Sequence, residues 1–166
     1  MSLEDLEAIR QLKARYFRFV DTKQWDRWGE LFTEDAVLDV PLVRGEPLRG
    51  RPAITDRVRQ GLTPMITVHH GHMPEIELAG SDRARGLWPM YDRLLTTTNE
   101  LTADPAVSGF GPRYEGFGHY VEEYARGEDG RWRIARCELR RLHLETERHR
   151  RDVDGSLPET VTQEVG

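Results

Sequence analysis

Acid–base chemistry is the reaction type that the side chains of this chain could perform most directly. Asp21 lies near the C-terminal end of a predicted helix, and three histidines follow at His69, His70 and His72, where a predicted strand ends. The helix dipole disfavours negative charge at a helix C-terminus, so helix stability does not explain Asp21. A carboxylate held against an imidazole makes a proton-transfer site, and this pairing is the main functional indication in the sequence.

The chemistry of such a pair is well defined. A neutral imidazole is a good general base near pH 7, because its ordinary pKa is about 6.5. A carboxylate on the other ring nitrogen fixes the tautomer and stabilises the imidazolium that forms. Tyr16, on the same predicted helix, could donate a hydrogen bond to a substrate oxygen that gains negative charge. Proton abstraction followed by elimination or isomerisation needs no metal and no organic cofactor at such a site.

Each of these residues also has a purely structural interpretation. Tyr16 fits a tyrosine packed in the core, and Asp21 fits a turn residue paired with Arg18 or Lys23. Histidines near a strand end are commonly solvated. These interpretations stay open on the residues alone.

A metal site is the competing use of the histidine cluster. On a strand, His70 and His72 share one face and His69 points to the other, so all three converge only if the backbone kinks at Gly71. With Glu75, the pair His70 and His72 is similar to a cupin ligand set, but the spacing to the glutamate is too short. We therefore expect no metal, and we expect His70 to face away from any pocket that His69 faces.

Three helices and a series of strands must position these residues. Ser2 followed by Asp5 resembles a capping box, and apolar residues at helical spacing predict a helix over 3–22. Spacings of three and four from Trp25 to Phe32 predict a short second helix, and Pro52 at an N1 position predicts a third over 52–61. The predicted strands cover 36–42, a short segment between Gly45 and Gly50, 65–70, 73–79, 83–95, 114–126 and 131–144, the last two joined by a hairpin turn at 127–130.

Helices first and strands after them predict an α+β fold, with the helices on one side of a curved antiparallel sheet. We expect one domain over 1–147 and a polar C-terminal tail over 148–166, which is frayed or docked on a partner. The segment 96–112 is too long for an ordinary hairpin loop and is interpreted as a lid, a binding loop, a disordered segment or a plain surface loop.

Composition limits the partners and the compartment. The 166 residues carry a net charge of −5 with both signs interspersed, which argues against nucleic acid or a membrane surface as partner. The arginine-rich run from Arg131 to Arg151 alternates with acidic residues and fits a solvated strand face. Cys137 is the single cysteine, which excludes an internal disulfide and fits a reducing compartment. No apolar run approaches the roughly 20 residues needed to span a bilayer, so we expect a soluble, cytoplasmic protein.

The order of these elements resembles the SnoaL-like group of the nuclear transport factor 2 superfamily. The matching segments are 16–21, 25–36, His69 with Ile76, and the closing hairpin from Gly118 to Ile134. The resemblance as a whole covers residues 5–145. The resemblance implies a cone-shaped α+β barrel, in which a strongly curved antiparallel sheet wraps a pocket and the N-terminal helices close one side. Many functions share this fold, so function has to be argued from the site.

Within that group, the branch that includes scytalone dehydratase and bile-acid 7α-dehydratase uses an Asp–His dyad with an assisting tyrosine. The resemblance places Asp21, His69 and Tyr16 on those positions. It also places a cationic residue of some relatives on Cys137, and the adjacent Arg136 should face the other side of the strand. His119 is the candidate for a second catalytic histidine.

Strand alternation predicts the walls of the pocket. An apolar lining suits a hydrophobic, ring-containing substrate better than a sugar or nucleotide, and no glycine-rich phosphate loop is present. The candidates for the lining are Trp28, Val40, Leu42, Met65, Ala84, Gly86, Trp88, Met90, Phe110 and Phe117.

The expected function is therefore a cofactor-independent lyase of the dehydratase type, or an isomerase, acting on a hydrophobic oxygenated small molecule such as a polyketide, steroid or aromatic compound. The alternative is a noncatalytic small-molecule-binding module, or an accessory subunit like the small β subunit of ring-hydroxylating dioxygenases. An Asp21 carboxylate within about 3 Å of one His69 ring nitrogen, with the other nitrogen open to an apolar cavity, would favour catalysis, and a carboxylate in solvent would favour binding or scaffolding. The resemblance also implies a homodimer or homotrimer.

Overall fold

The first helix is defined at both ends by its sequence. In the computed structural model, which describes residues 2–40, 46–96, 113–147 and 160–164, α1 spans Leu3–Asp21, as the periodicity predicts. The Ser2 hydroxyl accepts the backbone N–H of Glu4 at 3.1 Å and caps the helix start. Apolar side chains at spacings of three and four form its buried stripe, namely Ile9, Leu12, Tyr16, Phe19 and Val20.

Two further helices and eight strands complete the described part of the chain. The helices are α2 (Trp25–Gly29) and α3 (Arg51–Leu62). The strands are β1 (Phe32–Asp39), β2 (Leu48–Arg49), β3 (Met65–Gly71), β4 (Glu75–Leu78), β5 (Arg83–Thr96), β6 (Arg113–Arg126), β7 (Trp132–Glu147) and β8 (Thr160–Glu164). None of the described helices is long and apolar enough to cross a membrane.

The strands form one curled sheet in the order β2-β1-β7-β6-β5-β3, with β4 added to β5 and β8 added to β7. The sheet does not close, because β2 and β3 lie at opposite ends of this order. Its pairs are antiparallel except β1 with β7, which run parallel with Phe32 opposite Ile134. The α+β fold is thus as predicted, but the sheet is mixed and not purely antiparallel.

The register divides the sheet into an inner and an outer face. Directly opposite residues share a face, so one inner row runs from His69 through Asp92 and Gly116 to Leu144. The helices cover the inner face, and α1 packs against β3. This packing places the end of α1 beside the middle of β3, where the functional residues meet.

Several sequence predictions fall outside the described residues. These are the segment 97–112 of the predicted long loop, the pocket candidates Leu42 and Phe110, and residues 148–159 of the predicted tail. Residues 160–164 of that tail form β8, which pairs antiparallel with the end of β7. The polar composition of the tail did not predict this strand.

Candidate active site

Asp21 and His69 meet at the junction of α1 and β3. The Asp21 Oδ1 atom lies 2.6 Å from the His69 Nδ1 atom, and Asp21 Oδ2 accepts the backbone N–H of His69 at 2.9 Å. The His69 side chain is 6% exposed and the Asp21 side chain 23%. An ionised carboxylate can only accept, so this contact fixes the proton of a neutral imidazole on Nδ1 and leaves Nε2 as the basic atom.

The end of α1 holds the Asp21 carboxylate in place. The carbonyls of Phe19 and Val20 accept the N–H groups of Gln24 at 2.8 Å and Lys23 at 3.3 Å, which is the Schellman pattern of a helix end. Lys23 takes the left-handed conformation that this pattern requires, with φ of 59°. Glycine is the usual residue there, because a side chain costs roughly 1–2 kcal/mol in that conformation.

The residue at this strained position is Lys23, and its side chain contacts the site. Its Nζ donates to the Thr67 hydroxyl at 2.8 Å, and that hydroxyl donates to Asp21 Oδ1 at 2.9 Å. Thr67 and His69 are two residues apart on β3, so both side chains reach the same carboxylate from the inner face. The carboxylate therefore accepts three hydrogen bonds, which fix its orientation.

Tyr16 lies deeper in the fold, between one and two helical turns before Asp21 on α1. Its ring contacts Tyr120 at 5.9 Å and Trp28 at 5.4 Å between centroids, and it is 5% exposed. Burial raises the pKa of the Tyr16 hydroxyl well above its ordinary value, and the nearby Tyr120, Cys137 and Glu122 add to the rise. The hydroxyl therefore stays protonated and can act as a donor.

A buried ion pair beside Tyr16 was not predicted from the sequence. Lys13 Nζ lies 2.5 Å from Glu122 Oε1, and neither side chain is exposed. The ammonium also lies over the rings of Tyr16 and Tyr120, at 4.0 and 3.7 Å from their centroids. The second Glu122 oxygen accepts the Tyr124 hydroxyl. These contacts compensate two charges that would be costly to bury alone.

A second buried ion pair flanks His69. Arg141 donates to both carboxylate oxygens of Asp92, at 2.6 and 2.5 Å, and each side chain is 2% exposed. Asp92 is directly opposite His69 in the register of β3 and β5. Gly116 separates Asp92 from β7 and leaves room for the guanidinium, since a Cβ at Gly116 would lie 2.8 Å from Arg141 Nη1. The inner wall beside His69 is therefore polar, although an apolar wall was predicted.

Comparison with known proteins identifies the family of this chain. A profile of the SnoaL-like domain matches residues 1–138. The chain belongs to the SnoaL-like family. The residues that suggested the resemblance therefore indicated the correct family.

Solved structures similar to this SnoaL-like protein share its fold. One is a candidate scytalone dehydratase from Novosphingobium aromaticivorans DSM 12444, with 19% identity and a TM-score of 0.73 over 89% of this chain and 91% of that chain. A type 2 hexachlorocyclohexane dehydrochlorinase, LinA, has 20% identity and a TM-score of 0.70 over 86% and 88%. Rv3472 from Mycobacterium tuberculosis, of unknown function, has 26% identity and a TM-score of 0.64 over 82% and 71%.

Most of the predicted lining residues of this SnoaL-like domain lie in its core. Trp28 is fully buried against Tyr16 and Phe32, and its indole N–H has no hydrogen-bond partner in the described structure. Val40 is partly buried against the core. The remaining candidates on the inner face are buried as well, namely Met65, Ala84, Gly86, Trp88 and Met90. Trp88 donates to the Tyr124 hydroxyl at 2.8 Å and so belongs to the polar network.

The sequence prediction that Phe117 and His119 line the pocket is wrong, because both lie on the outer face of β6. The inner face of β6 carries Gly116, Gly118, Tyr120 and the other residues of that parity, so Phe117 and His119 lie outside. Phe117 is 48% exposed and stacks on His143. The structure therefore does not bring His119 to the Asp21–His69 pair.

The strand faces predicted for His70 and Arg136 are confirmed. His70 is exposed while His69 is buried, so the two lie on opposite faces of β3. Cys137 is fully buried, and Arg136 faces outward, where its guanidinium lies 3.8 Å from Asp39. Within the ranges that the structure describes, no three His, Cys, Asp or Glu side chains are grouped so that they could hold a metal ion.

Lys23 offers a chemical test of the environment of this site. Its pKa is lowered to about 8 because partial burial disfavours the ammonium, an effect that Asp21 partly opposes. The chain has two lysines, and Lys13 is fully buried. We expect acetic anhydride to modify Lys23 selectively, with a rate that rises through a midpoint near pH 8. Peptide mapping by mass spectrometry at a series of pH values measures this midpoint.

The unfolded chain is the control for that measurement. Both lysines should then react, with a midpoint near the ordinary lysine pKa of about 10.4. A folded-state midpoint near that ordinary value would contradict the buried setting of Lys23. Because the folded pKa is below the unfolded one, the cost of burying this ammonium is present below about pH 8 and is relieved as the pH rises towards 10.5.

Proposed function

We propose that this SnoaL-like protein is a cofactor-independent lyase of the dehydratase type, or an isomerase, in which His69 is the general base. The 2.6 Å contact between Asp21 Oδ1 and His69 Nδ1 is the observation that carries the proposal. It meets the distance expected of a catalytic pair, and the Asp21 side chain is mostly withdrawn from solvent. The fold-level neighbours that are named as a dehydratase and a dehydrochlorinase support an enzyme that converts small molecules.

In the proposed reaction, His69 Nε2 removes a proton from a carbon next to a substrate carbonyl. The Asp21 carboxylate stabilises the imidazolium that results. In a dehydration, the electron pair of the broken C–H bond forms the new double bond, and a β-hydroxyl leaves as water with the proton returned by the imidazolium. In an isomerisation, the same proton returns to another carbon of the conjugated system.

Tyr16 is proposed as the donor to the substrate oxygen that gains charge. Its raised pKa supports this role, because a hydroxyl that stays protonated can donate throughout the reaction. Tyr120 lies beside Tyr16, with 5.9 Å between the ring centroids, and burial raises the pKa of the Tyr120 hydroxyl as well. The proposed substrate is a hydrophobic, oxygenated small molecule, the class that the family resemblance implies for an enzyme with this dyad.

The proposal is tested by a ligand screen followed by turnover assays. Steroids, quinones, terpenoids and aromatic acids that raise the melting temperature are incubated with wild-type protein and with His69→Ala. We expect a hit that loses water or shifts a double bond with the wild type and is unchanged by His69→Ala. Hits that bind both proteins equally without turnover would instead support the alternative, a noncatalytic binding module or accessory subunit.

We further propose that the protein self-associates as a homodimer or homotrimer through the outer face of the sheet. Phe117 and Leu142, which are 48% and 58% exposed, line an open depression there with His70 and Tyr91. Exposed apolar patches of this kind mark interaction sites.

Light scattering should give a multiple of 19.2 kDa for the wild type and a monomer for Phe117→Arg with Leu142→Arg. Leu3→Arg, at an exposed leucine of α1, is the control, and a monomeric wild type would contradict the proposal.

A further inference from the structure

A cavity lies beside α1, away from the Asp21–His69 pair. Its volume is about 710 Å³, which is the size of small-molecule sites. It follows a neighbouring stripe of α1, through Ala8, Leu12, Arg15 and Phe19, and Asp21 and His69 are not among its lining residues. The other walls come from the segment from α2 to β1, the start of α3 and the start of β7, and they contribute Arg27, Glu30, Leu31, Arg51, Arg131, Trp132 and Arg133.

The lining of this cavity is strongly basic. Five arginines face it with one carboxylate, that of Glu30, although the whole chain carries a net charge of −5. Clustered like charges repel each other, so this arrangement costs free energy unless anions compensate it. Basic clusters of this kind in an acidic protein indicate an anionic ligand.

Two of the five arginines are compensated within the protein. Arg51 forms an ion pair with Glu34. Arg133 donates to both carboxylate oxygens of Asp129, at 3.0 and 2.7 Å. Their guanidinium groups therefore contribute less to the attraction of a ligand than the remaining three.

The other three form no ion pair with a carboxylate of the described structure, although Asp129, which pairs with Arg133, also attracts Arg131. Arg27 donates to the neutral amide of Gln24 at 2.6 Å and lies over the Phe19 ring. Arg15 and Arg131 make no ion pair within the described residues. Each of these three side chains is exposed and can turn its planar set of donors towards a ligand.

The floor of the cavity is apolar. Leu12, Phe19, Leu31 and Trp132 are each less than a tenth exposed and belong to the hydrophobic core. The floor is held in place, because the Trp132 indole N–H donates to Asp5 at 3.0 Å and the Leu31 carbonyl accepts the N–H of Ile134 at 2.8 Å. A ligand that fits this cavity has an apolar body and an anionic end.

We propose that this cavity is a second binding site, specific for an amphipathic organic carboxylate. Arg15, Arg27 and Arg131 bind the carboxylate, and the apolar floor binds a ring system or a short chain. Guanidinium groups match carboxylates in geometry and form paired, charge-assisted hydrogen bonds with them. The site does not depend on the proposed lyase activity, since it shares neither Asp21 nor His69.

Fluorescence titration and calorimetry test the site with four probes. 2-Naphthoate and decanoate represent aromatic and fatty acids, and 2-naphthalenemethanol and decanol are their neutral counterparts. We expect at least one acid to bind about tenfold more tightly than its alcohol, with affinity that falls as salt rises. The acid that binds better identifies the source of the ligand. Trp132→Phe should remove the fluorescence change, because that indole lines the cavity.

Charge variants locate the binding. Arg15→Gln with Arg131→Gln should weaken acid binding by about tenfold or more. Arg10→Gln with Arg83→Gln also removes two positive charges, one of them from the same helix, at residues outside the cavity and should leave affinity within about twofold. His69→Ala should bind as the wild type does. Equal binding of acids and alcohols, no acid binding, unchanged affinity in the double variant, or loss of binding in His69→Ala would each overturn the proposal.

Discussion

Asp21→Asn should lower kcat/KM by about 10³- to 10⁴-fold on any substrate that the wild type turns over. The backbone N–H of His69 needs an acceptor, so the amide oxygen takes the position of Oδ2 and the amide NH₂ faces His69 Nδ1. A donor at Nδ1 selects the tautomer that carries its proton on Nε2. The nitrogen that should remove the substrate proton is then already protonated, while the packing of the helix end is preserved.

The tautomer itself can be measured without a substrate. The ¹⁵N chemical shifts of the two ring nitrogens distinguish Nδ1–H from Nε2–H, and we expect the proton on Nδ1 in the wild type and on Nε2 in Asp21→Asn at a pH where the imidazole is neutral. Asp26→Asn makes the same chemical change at an exposed ion pair with Arg59 and should alter neither activity nor tautomer. An active Asp21→Asn protein would refute the dyad mechanism.

Lys13→Met should destabilise the fold by about 3–5 kcal/mol, the largest stability effect that we expect. The substitution leaves the Glu122 carboxylate buried without its ammonium partner, although the Tyr124 hydroxyl still donates to it. Removing both charges avoids this cost, so Lys13→Met with Glu122→Met should recover most of the lost free energy of unfolding. Methionine suits both positions because it fills the space flexibly and needs no partner.

Urea denaturation of the wild type, both single variants and the double variant measures this coupling. Arg59→Met breaks the exposed pair with Asp26 and should cost at most about 1 kcal/mol. A loss for Lys13→Met as small as that of Arg59→Met would contradict the buried pairing. An additive double variant would mean that the two charges do not stabilise each other.

The sequence predicted the features of the fold that local patterns determine. The capping of α1 and its spacing of apolar residues gave the helix within a residue of Leu3–Asp21. Strand alternation separated His69 from His70, which the structure places on opposite faces. The pairing of Asp21 with His69 came from the family resemblance, since nothing in their local sequence brings together two residues on different elements.

The sequence could not predict the identity of the inner face of β6. Strand alternation places Phe117 and His119 on one face of β6 and Tyr120 and Glu122 on the other. Hydropathy favours the face with Phe117 as the buried one, because the other face carries the charged Glu122. The real inner set contains Glu122, whose partner Lys13 lies on α1, far away in the chain. Only the tertiary contact shows that this carboxylate is buried with a compensating charge. The same holds for Asp92 and Arg141.

The parallel pairing of β1 with β7 has a consequence for the order in which the chain can fold during synthesis. In the described structure, β1 pairs with the short strand β2 and with β7. Its long pairing with β7 can form only after β7 has left the ribosome. The edge of β1 that pairs with β7, from Phe32 to Asp39, therefore remains without its strand partner for most of translation. Contacts between distant segments also slow folding. A nascent chain that ends before β7 therefore exposes an unpaired strand edge, which is the kind of surface that promotes aggregation.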